Sequence, residues 1–202
     1  MPDDATLRTR ATYDAIALRF IENARDRSGV IPWLARFAAA LPAGALVVDL
    51  GAGPGIDTVE LRRRGLRAFS LDYSMGMLRA GVGEYPGPRL QADARRLPFR
   101  AGALAGIWAS ASLLHLSRPH AAQAHEDARR TLAPSGRLLL SVKQGHGSET
   151  ETARYGMPRF FQYWSGSELD AVLDAAGFRV IDSGTGTSPR AEWLVRLAER
   201  ID

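Results

Sequence analysis

The segment LVVDLGAGPGIDT at positions 46–58 constrains the fold of this chain more than any other stretch. Its apolar run, interrupted by Asp49, is typical of a strand that is buried on both faces of a parallel sheet. Gly51, Gly53 and Gly55 follow at once and predict a tight turn into a helix. Because the first backbone N–H groups of a helix are free, such a turn can bind an anionic or polar ligand.

The rest of the chain alternates between strand and helix patterns. Two helices are expected before the first strand, and the strands themselves are predicted at 46–50, 67–71, 89–92, 104–110, 137–142, 178–183 and 191–197. Alternation of this kind predicts an α/β fold with a doubly wound, mostly parallel seven-stranded sheet. The last two strands are separated by a short loop, so we expect them to form a C-terminal antiparallel hairpin.

Composition narrows the class of protein. The 202 residues suit one domain, and the absence of cysteine excludes disulfides, cysteine-ligated zinc and a thiol nucleophile. The start, MPDDATLRTR, lacks the apolar core of a signal peptide, and no apolar run is long enough to span a membrane, so a cytoplasmic location is expected. The 26 basic and 22 acidic side chains are spread along the chain, which disfavours a dedicated nucleic-acid-binding arm.

Polar residues fall at the carboxyl ends of four predicted strands: Asp49 with the glycine turn, Asp72, Asp93 and Ser110. Ligands of such sheets bind at these ends, so the four positions should converge. The turn reads GxGxG, because Ile56 stands where a dinucleotide-binding turn has its third glycine. Asp49 would repel a pyrophosphate but suits an ammonium and a sulfonium, which favours S-adenosylmethionine over NAD.

Five segments together resemble the class I S-adenosylmethionine-dependent methyltransferases, in particular the small-molecule type with a seven-stranded Rossmann-like domain. They are VVDLGAGPG (47–55), LDYSMGML (71–78), QADARRLPF (91–99), IWASASLLHL (107–116) and LAPSGRLLLSV (132–142). Each segment alone is weak to moderate evidence, but five in order at the family's spacing are strong. The resemblance covers about residues 44–183.

The resemblance implies that one group of residues binds the methionine and ribose parts of the cofactor. Asp49 and the turn would face the methionine half, and Asp72 would bind both ribose hydroxyls. The backbone of Ser110 would lie near the methionine amino group, and Tyr13 would close over the methionine carboxylate. The turn residues concerned are Gly51, Ala52, Gly53 and Gly55.

A second group is implied at the adenine and at the reaction centre. Tyr73 and Met77 would pack against the adenine, and Asp93 would accept a hydrogen bond from its amino group, with the Ala94 backbone alongside. His115 follows the fourth strand, where the methyl acceptor should lie, and is a candidate base or orienting group. In-line methyl transfer depends mainly on positioning, so a base is required only for an acceptor that is protonated. No metal site is expected.

The stretch between the fifth strand and the last long helix has no strand–helix pattern of its own. We expect residues 143–164 to form a lid and substrate loop, and residues 1–42 to form an N-terminal helical cap, within a single domain of residues 1–202. In this interpretation Arg159, Phe161 and Trp164 wall the acceptor pocket; the alternative is that the two aromatic residues cap the core.

Four functions remain open from the sequence. A small-molecule methyltransferase is favoured, and a tRNA-modifying methyltransferase of the wobble-uridine type comes second, since related enzymes carry a similar arginine–aromatic stretch. An RNA partner is possible, but 202 residues leave no room for a separate RNA-binding domain. SASLLHL stands where the amino-methylating DNA enzymes have [DN]-P-P-[YFW], which argues against that class. An NAD-dependent oxidoreductase and a non-catalytic cofactor-binding protein are the remaining alternatives.

Overall fold

The computed structural model describes residues 4–24 and 26–202. Its helices are α1 (Asp4–Asn23), α2 (Ile31–Ala39), α3 (Ile56–Arg63), α4 (Met75–Ala80), α5 (Arg118–Thr131) and α6 (Gly166–Ala175), with a 3₁₀ helix at Leu113–His115. Its strands are β1 (Leu46–Leu50), β2 (Arg67–Asp72), β3 (Arg89–Gln91), β4 (Leu104–Ser110), β5 (Leu132–Lys143), β6 (Ser148–Glu151), β7 (Arg159–Gln162), β8 (Phe178–Ser188) and β9 (Ala191–Arg200).

Seven strands form one sheet in the order β3-β2-β1-β4-β5-β9-β8. β1 is parallel to both of its neighbours, and Val48 is paired with Phe69 on one side and with Ile107 on the other. β9 is antiparallel to both β5 and β8. The predicted seven-stranded, mostly parallel sheet with a C-terminal antiparallel hairpin is therefore confirmed. The strand order reverses between β1 and β4, and a cleft opens at this point in such sheets.

Helices cover both faces of the sheet because neighbouring residues of a strand point to opposite sides. Val47 and Trp108 pack with α2 and α3 on one face. Val48 and Ile107 pack with α5 and α6 on the other face. All four side chains are fully buried, so the middle of the sheet offers no room for a ligand.

The helix ends follow the capping signals in the sequence. Ser165 and Glu168 form the predicted capping box at the start of α6. The Ser74 hydroxyl accepts a hydrogen bond from the Met77 amide at 3.1 Å and caps α4. Among the helices of residues 4–24 and 26–202, none combines the length and apolar character that crossing a membrane requires.

The segment predicted as a lid loop contains regular structure. β6 and β7 pair antiparallel, with Glu149 opposite Phe161 and Glu151 opposite Arg159. The sequence shows no alternation long enough to predict these four-residue strands, and the hairpin packs against α1, which lies far away in the chain. The expectation of a loop over 143–164 therefore needs correction: a β-hairpin occupies its middle.

Candidate active site

A cavity of about 770 Å³ lies at the carboxyl ends of β1, β2 and β4, beneath α1 and the β6–β7 hairpin. This is the place in the sheet where the strand order reverses. All predicted cofactor residues line the cavity except Gly55, which is the N-cap of α3. The residues that line it are Tyr13, Asp49, Gly51, Ala52, Gly53, Asp72, Tyr73, Met77, Asp93, Ala94 and Ser110.

The glycine turn has left-handed backbone angles that disfavour side chains. Gly51 has φ of 73° and Gly53 has φ of 56°. A Cβ on Gly51 would lie 2.1 Å from Cβ of Ser112, so this glycine allows the turn to pack on the segment after β4. A Cβ on Gly53 would meet only the Phe20 ring, at 3.8 Å, within 4 Å in the described chain. Gly53 therefore keeps open the space in front of the turn.

Asp49 is buried at the end of β1 and has no ion-pair partner in the described chain. It accepts a hydrogen bond from the Thr58 hydroxyl at 2.7 Å. Burial raises the pKa of Asp49 well above its ordinary value, and the nearby carboxylate of Asp57 raises it further. A cation bound at this position would be stabilised by the ionised carboxylate.

Arg27 and Asp57 form a part of the site that the sequence interpretation missed. Both line the cavity, and the Arg27 guanidinium makes two hydrogen bonds to the Asp57 carboxylate. The indole N–H of Trp108 donates to the same carboxylate at 3.0 Å. Asp57 follows the glycine turn in IDT, but no local pattern indicates that Arg27 reaches it. The pair fixes the segment after α1 against the start of α3.

Asp72 stands at the end of β2 and faces the glycine turn. One carboxylate oxygen accepts from the Gly53 amide and the other from the Ser74 amide, both at 2.7 Å. Burial raises its pKa to about 6, against the lowering effect of these two hydrogen bonds. Each oxygen keeps a free lone pair, so the side chain can accept two further hydrogen bonds from a diol.

The residues predicted to surround an adenine ring line the same cavity as Asp72. Met77 is buried in the cavity wall, and the Arg10 guanidinium lies 4.9 Å from the Tyr73 ring centre. Burial raises the pKa of Asp93, but hydrogen bonds from the Arg95 side chain and amide outweigh it and lower the pKa overall. These bonds leave Asp93 one acceptor position on Oδ2.

His115 connects three elements above the cavity. Its Nδ1 lies 2.6 Å from the Phe160 carbonyl oxygen, which can only accept, so Nδ1 carries the proton. Burial lowers the pKa of His115 to about 3, so the ring is neutral and Nε2 accepts from the Tyr13 hydroxyl at 2.7 Å. Tyr13 therefore reaches His115 from α1, and this arrangement favours an orienting role for His115 over that of a base.

The other residues that were predicted to line the methyl-acceptor pocket lie in two different environments in the structure. Arg159 and Phe161 line the cavity, and Arg159 forms an ion pair with Glu151 across the hairpin. Trp164 lies outside the cavity lining: it is 2% exposed, packs in the core and has the Arg118 guanidinium 4.5 Å above its ring. The expectation that Trp164 walls the acceptor pocket is corrected to a core position. Phe161 belongs to both the core and the cavity wall.

Known proteins share both sequence and fold with this chain. Residues 48–140 match the family model described as a methyltransferase domain. Demethylmenaquinone methyltransferase of Mycobacterium tuberculosis H37Rv is 35% identical over 105 residues, which are 52% of this chain and 44% of that protein. The chain thus spans less than half the length of this relative.

Solved structures match over more of the chain. 1,6-Didemethyltoxoflavin-N1-methyltransferase of Burkholderia thailandensis, crystallised with 1,6-didemethyltoxoflavin and S-adenosylhomocysteine, superposes with a TM-score of 0.75 at 23% identity and covers 100% of this chain and 93% of its own. The [4+2]-cyclase SpnF gives 0.67 at 18% identity, with 84% of this chain and 78% of its own covered. Residues 48–140 thus match a methyltransferase domain, and the chain shares the fold of these solved structures.

Proposed function

We propose that this protein transfers a methyl group from S-adenosylmethionine to a small-molecule acceptor by in-line displacement. The observation that carries the proposal is that residues of both predicted sets line one and the same cavity of about 770 Å³. Its volume is within the range of small-molecule sites. The cofactor set lies at the strand ends and, through Tyr13, on α1. The acceptor residues His115, Arg159 and Phe161 lie on the 3₁₀ helix and the hairpin.

The residues present fit this cofactor. Asp49 and Asp72 are carboxylates without an ion-pair partner among residues 4–24 and 26–202, which suits a cationic ligand with a ribose diol. Gly53 leaves open the space that a Cβ would fill in front of the turn. When bound, the cofactor supplies an electrophilic methyl group on a sulfonium. Asp72 would bind the ribose, and Tyr73, Met77, Asp93 and Ala94 would surround the adenine.

The protein's contribution to the reaction would be positioning and exclusion of water. Holding an acceptor in line with the methyl group supplies most of the acceleration that such a displacement requires. α1 and the hairpin cover the cavity and would keep water from the sulfonium. His115 would orient Tyr13 and the acceptor. In this proposal residues 1–202 act as one domain, with 1–42 as the cap and 143–164 as the lid.

Two named relatives support a small-molecule acceptor over an RNA. One is named for demethylmenaquinone and the other for 1,6-didemethyltoxoflavin, and neither compound is a nucleic acid. The cover formed by α1 and the hairpin also suits a compact acceptor better than a polynucleotide. SpnF shares this fold but is named as a [4+2]-cyclase, and a fold does not determine a reaction. Methyl transfer therefore has to be tested directly by turnover.

The test is calorimetry followed by turnover. S-Adenosylmethionine and S-adenosylhomocysteine are expected to bind, and NAD is not. With cofactor labelled in the methyl group, label should move to 1,6-didemethyltoxoflavin or a demethylmenaquinol, and not to unmodified tRNA. Binding of NAD in place of S-adenosylmethionine would contradict the proposal, and transfer to tRNA would move it to the RNA-modifying class.

A further inference from the structure

The two ends of the cavity carry opposite charge. At the cofactor end, Asp49 and Asp72 have no cationic partner in the described residues, whereas Asp57 and Asp93 are paired with arginines. At the acceptor end the described lining holds more cations than carboxylates: Lys143, Arg154, Arg159 and Arg190 against Glu149 and Glu151. The cofactor end therefore suits a cation, and the acceptor end suits an anion.

Part of the charge at the acceptor end is already compensated within the protein. Arg159 is 4% exposed and forms its ion pair with Glu151. Glu149 accepts a hydrogen bond from the Tyr163 hydroxyl, across the hairpin. Lys143, the only lysine of the chain, has no such partner among the described residues; Arg154 and Arg190 have none either, and Arg190 is exposed.

Lys143 ends β5 and lies against aromatic rings. Its Nζ is 3.6 Å from the ring centre of Phe161 and 5.8 Å from that of Tyr163. No hydrogen bond or ion pair joins its Nζ to a residue of the described ranges. Burial lowers its pKa; Arg159 and Arg154 also lower it, while Glu151 and Glu149 oppose the shift. The Lys143 ammonium is thus held at the cavity surface by the aliphatic part of its side chain and by the faces of the two aromatic rings.

We propose that the acceptor is an aromatic anion and that Lys143 binds its charged oxygen, while Phe161 and Tyr163 contact its ring. The inference rests on the proposed function of this same cavity. An acceptor that enters displaces the water around the ammonium, and the ring faces alone compensate only partly for that lost hydration. An anionic oxygen restores the lost interaction. A neutral acceptor of the same shape leaves a charge buried without a partner and is rejected.

Binding the acceptor as an anion also means that the transfer step requires no base. The bond that forms joins the nucleophilic atom to the methyl carbon, and the bond that breaks is the sulfur–methyl bond, whose electron pair stays on sulfur. The acceptor's negative charge and the sulfonium's positive charge cancel, so no proton has to be removed in this step. His115, whose Nε2 accepts from Tyr13, is then not needed as a base.

Calorimetry with two probes of matched shape tests the inference. 2-Naphthoate and 2-naphthamide are titrated into the protein saturated with S-adenosylhomocysteine. We expect the carboxylate to bind about tenfold tighter than the amide, a difference of roughly 1.4 kcal/mol. Lys143→Met should remove the preference, Lys143→Arg should retain it, and both variants should bind S-adenosylhomocysteine as the parent protein does.

Arg179→Gln is the control for net charge, because this arginine is exposed on β8 and should leave the preference unchanged. Equal affinity of the two probes, no binding of either, or a preference that persists in Lys143→Met would overturn the inference. Failure of the parent protein to bind S-adenosylhomocysteine would instead overturn the proposed function. The two failures are therefore distinguishable.

Discussion

Asp72 connects the glycine turn, the next strand and the proposed ribose site through a single carboxylate. Its two oxygens accept from the Gly53 and Ser74 amides, so the side chain is fixed before any ligand arrives. A fixed acceptor loses little conformational entropy on binding, which strengthens its contribution to affinity.

We expect Asp72→Ala to weaken S-adenosylmethionine binding by roughly 1.5–3 kcal/mol, the scale of hydrogen bonds to a charged group. In the parent protein the affinity should fall as the pH drops below about 6, because burial raises the pKa of Asp72 to about 6 and the ionised form is the better acceptor. Calorimetry across this pH range measures both effects. Unchanged affinity in a variant with native circular dichroism would rule out the ribose assignment.

The acids at the strand ends could be predicted from the sequence because parallel strands end at one edge of a sheet. Asp49, Asp72 and Asp93 all line the cavity as that geometry requires. Their partners could not be predicted. The Arg27–Asp57 pair spans 30 positions and depends on how the segment after α1 packs. The position of Trp164 likewise depends on the packing of the core beneath the hairpin.

At the scale of elements, α1 is joined to both sides of the cavity. Asp14 accepts from the Ser74 hydroxyl at 2.6 Å and from the Gly76 amide at 2.7 Å, at the start of α4. On the other side, the Thr12 hydroxyl donates to the Pro158 carbonyl at 2.6 Å, and Thr9 accepts from the Phe160 amide at 2.9 Å. The contacts with α4 span 60 and 62 positions, and those with Pro158 and Phe160 span 146 and 151, so the local sequence gives no sign of them.

We expect α1 and residues 144–164 to act as covers of the site that open to admit ligands. Hydrogen exchange of both segments should slow when S-adenosylhomocysteine binds, whereas β1 and β4 should be protected throughout. Tyr13→Phe removes the hydrogen bond to His115, which should cost roughly 1 kcal/mol and speed exchange of α1 about fivefold.

Tyr85→Phe provides the matched control, because Tyr85 lies outside both covers and its loss of a hydroxyl should leave their exchange unchanged. Exchange that is equally slow with and without S-adenosylhomocysteine in both segments would mean that they are fixed parts of the fold. Acceleration by Tyr85→Phe to the same extent as by Tyr13→Phe would mean that the effect is not local to the cover.

At the scale of the whole molecule, alternation of strand and helix patterns was enough to predict the sheet. Most strands of the sheet are short apolar runs that alternate with helices, and the right-handed rule for parallel crossovers leaves few arrangements for such a sequence. The interior carries one feature that the sequence pattern does not indicate. His125 lies on α5, where the helix faces the core, and it is 2% exposed.

The last prediction concerns the stability of the molecule in acid. Neither ring nitrogen of His125 has a hydrogen-bond partner among residues 4–24 and 26–202, and burial lowers its pKa from 6.5 to about 4. The unfolded chain takes up a proton below pH 6.5 that the folded chain resists down to about pH 4, so stability falls as the pH falls through this window. Between roughly pH 8 and pH 5 this residue should lower the free energy of unfolding by about 2 kcal/mol.

Urea unfolding at these two pH values measures the loss of unfolding free energy. In His125→Leu this loss should be smaller by that amount than in the parent protein, whereas His146→Gln, a substitution at an exposed position, should lose as much as the parent. An undiminished pH dependence in His125→Leu would mean that the buried imidazole does not govern acid stability.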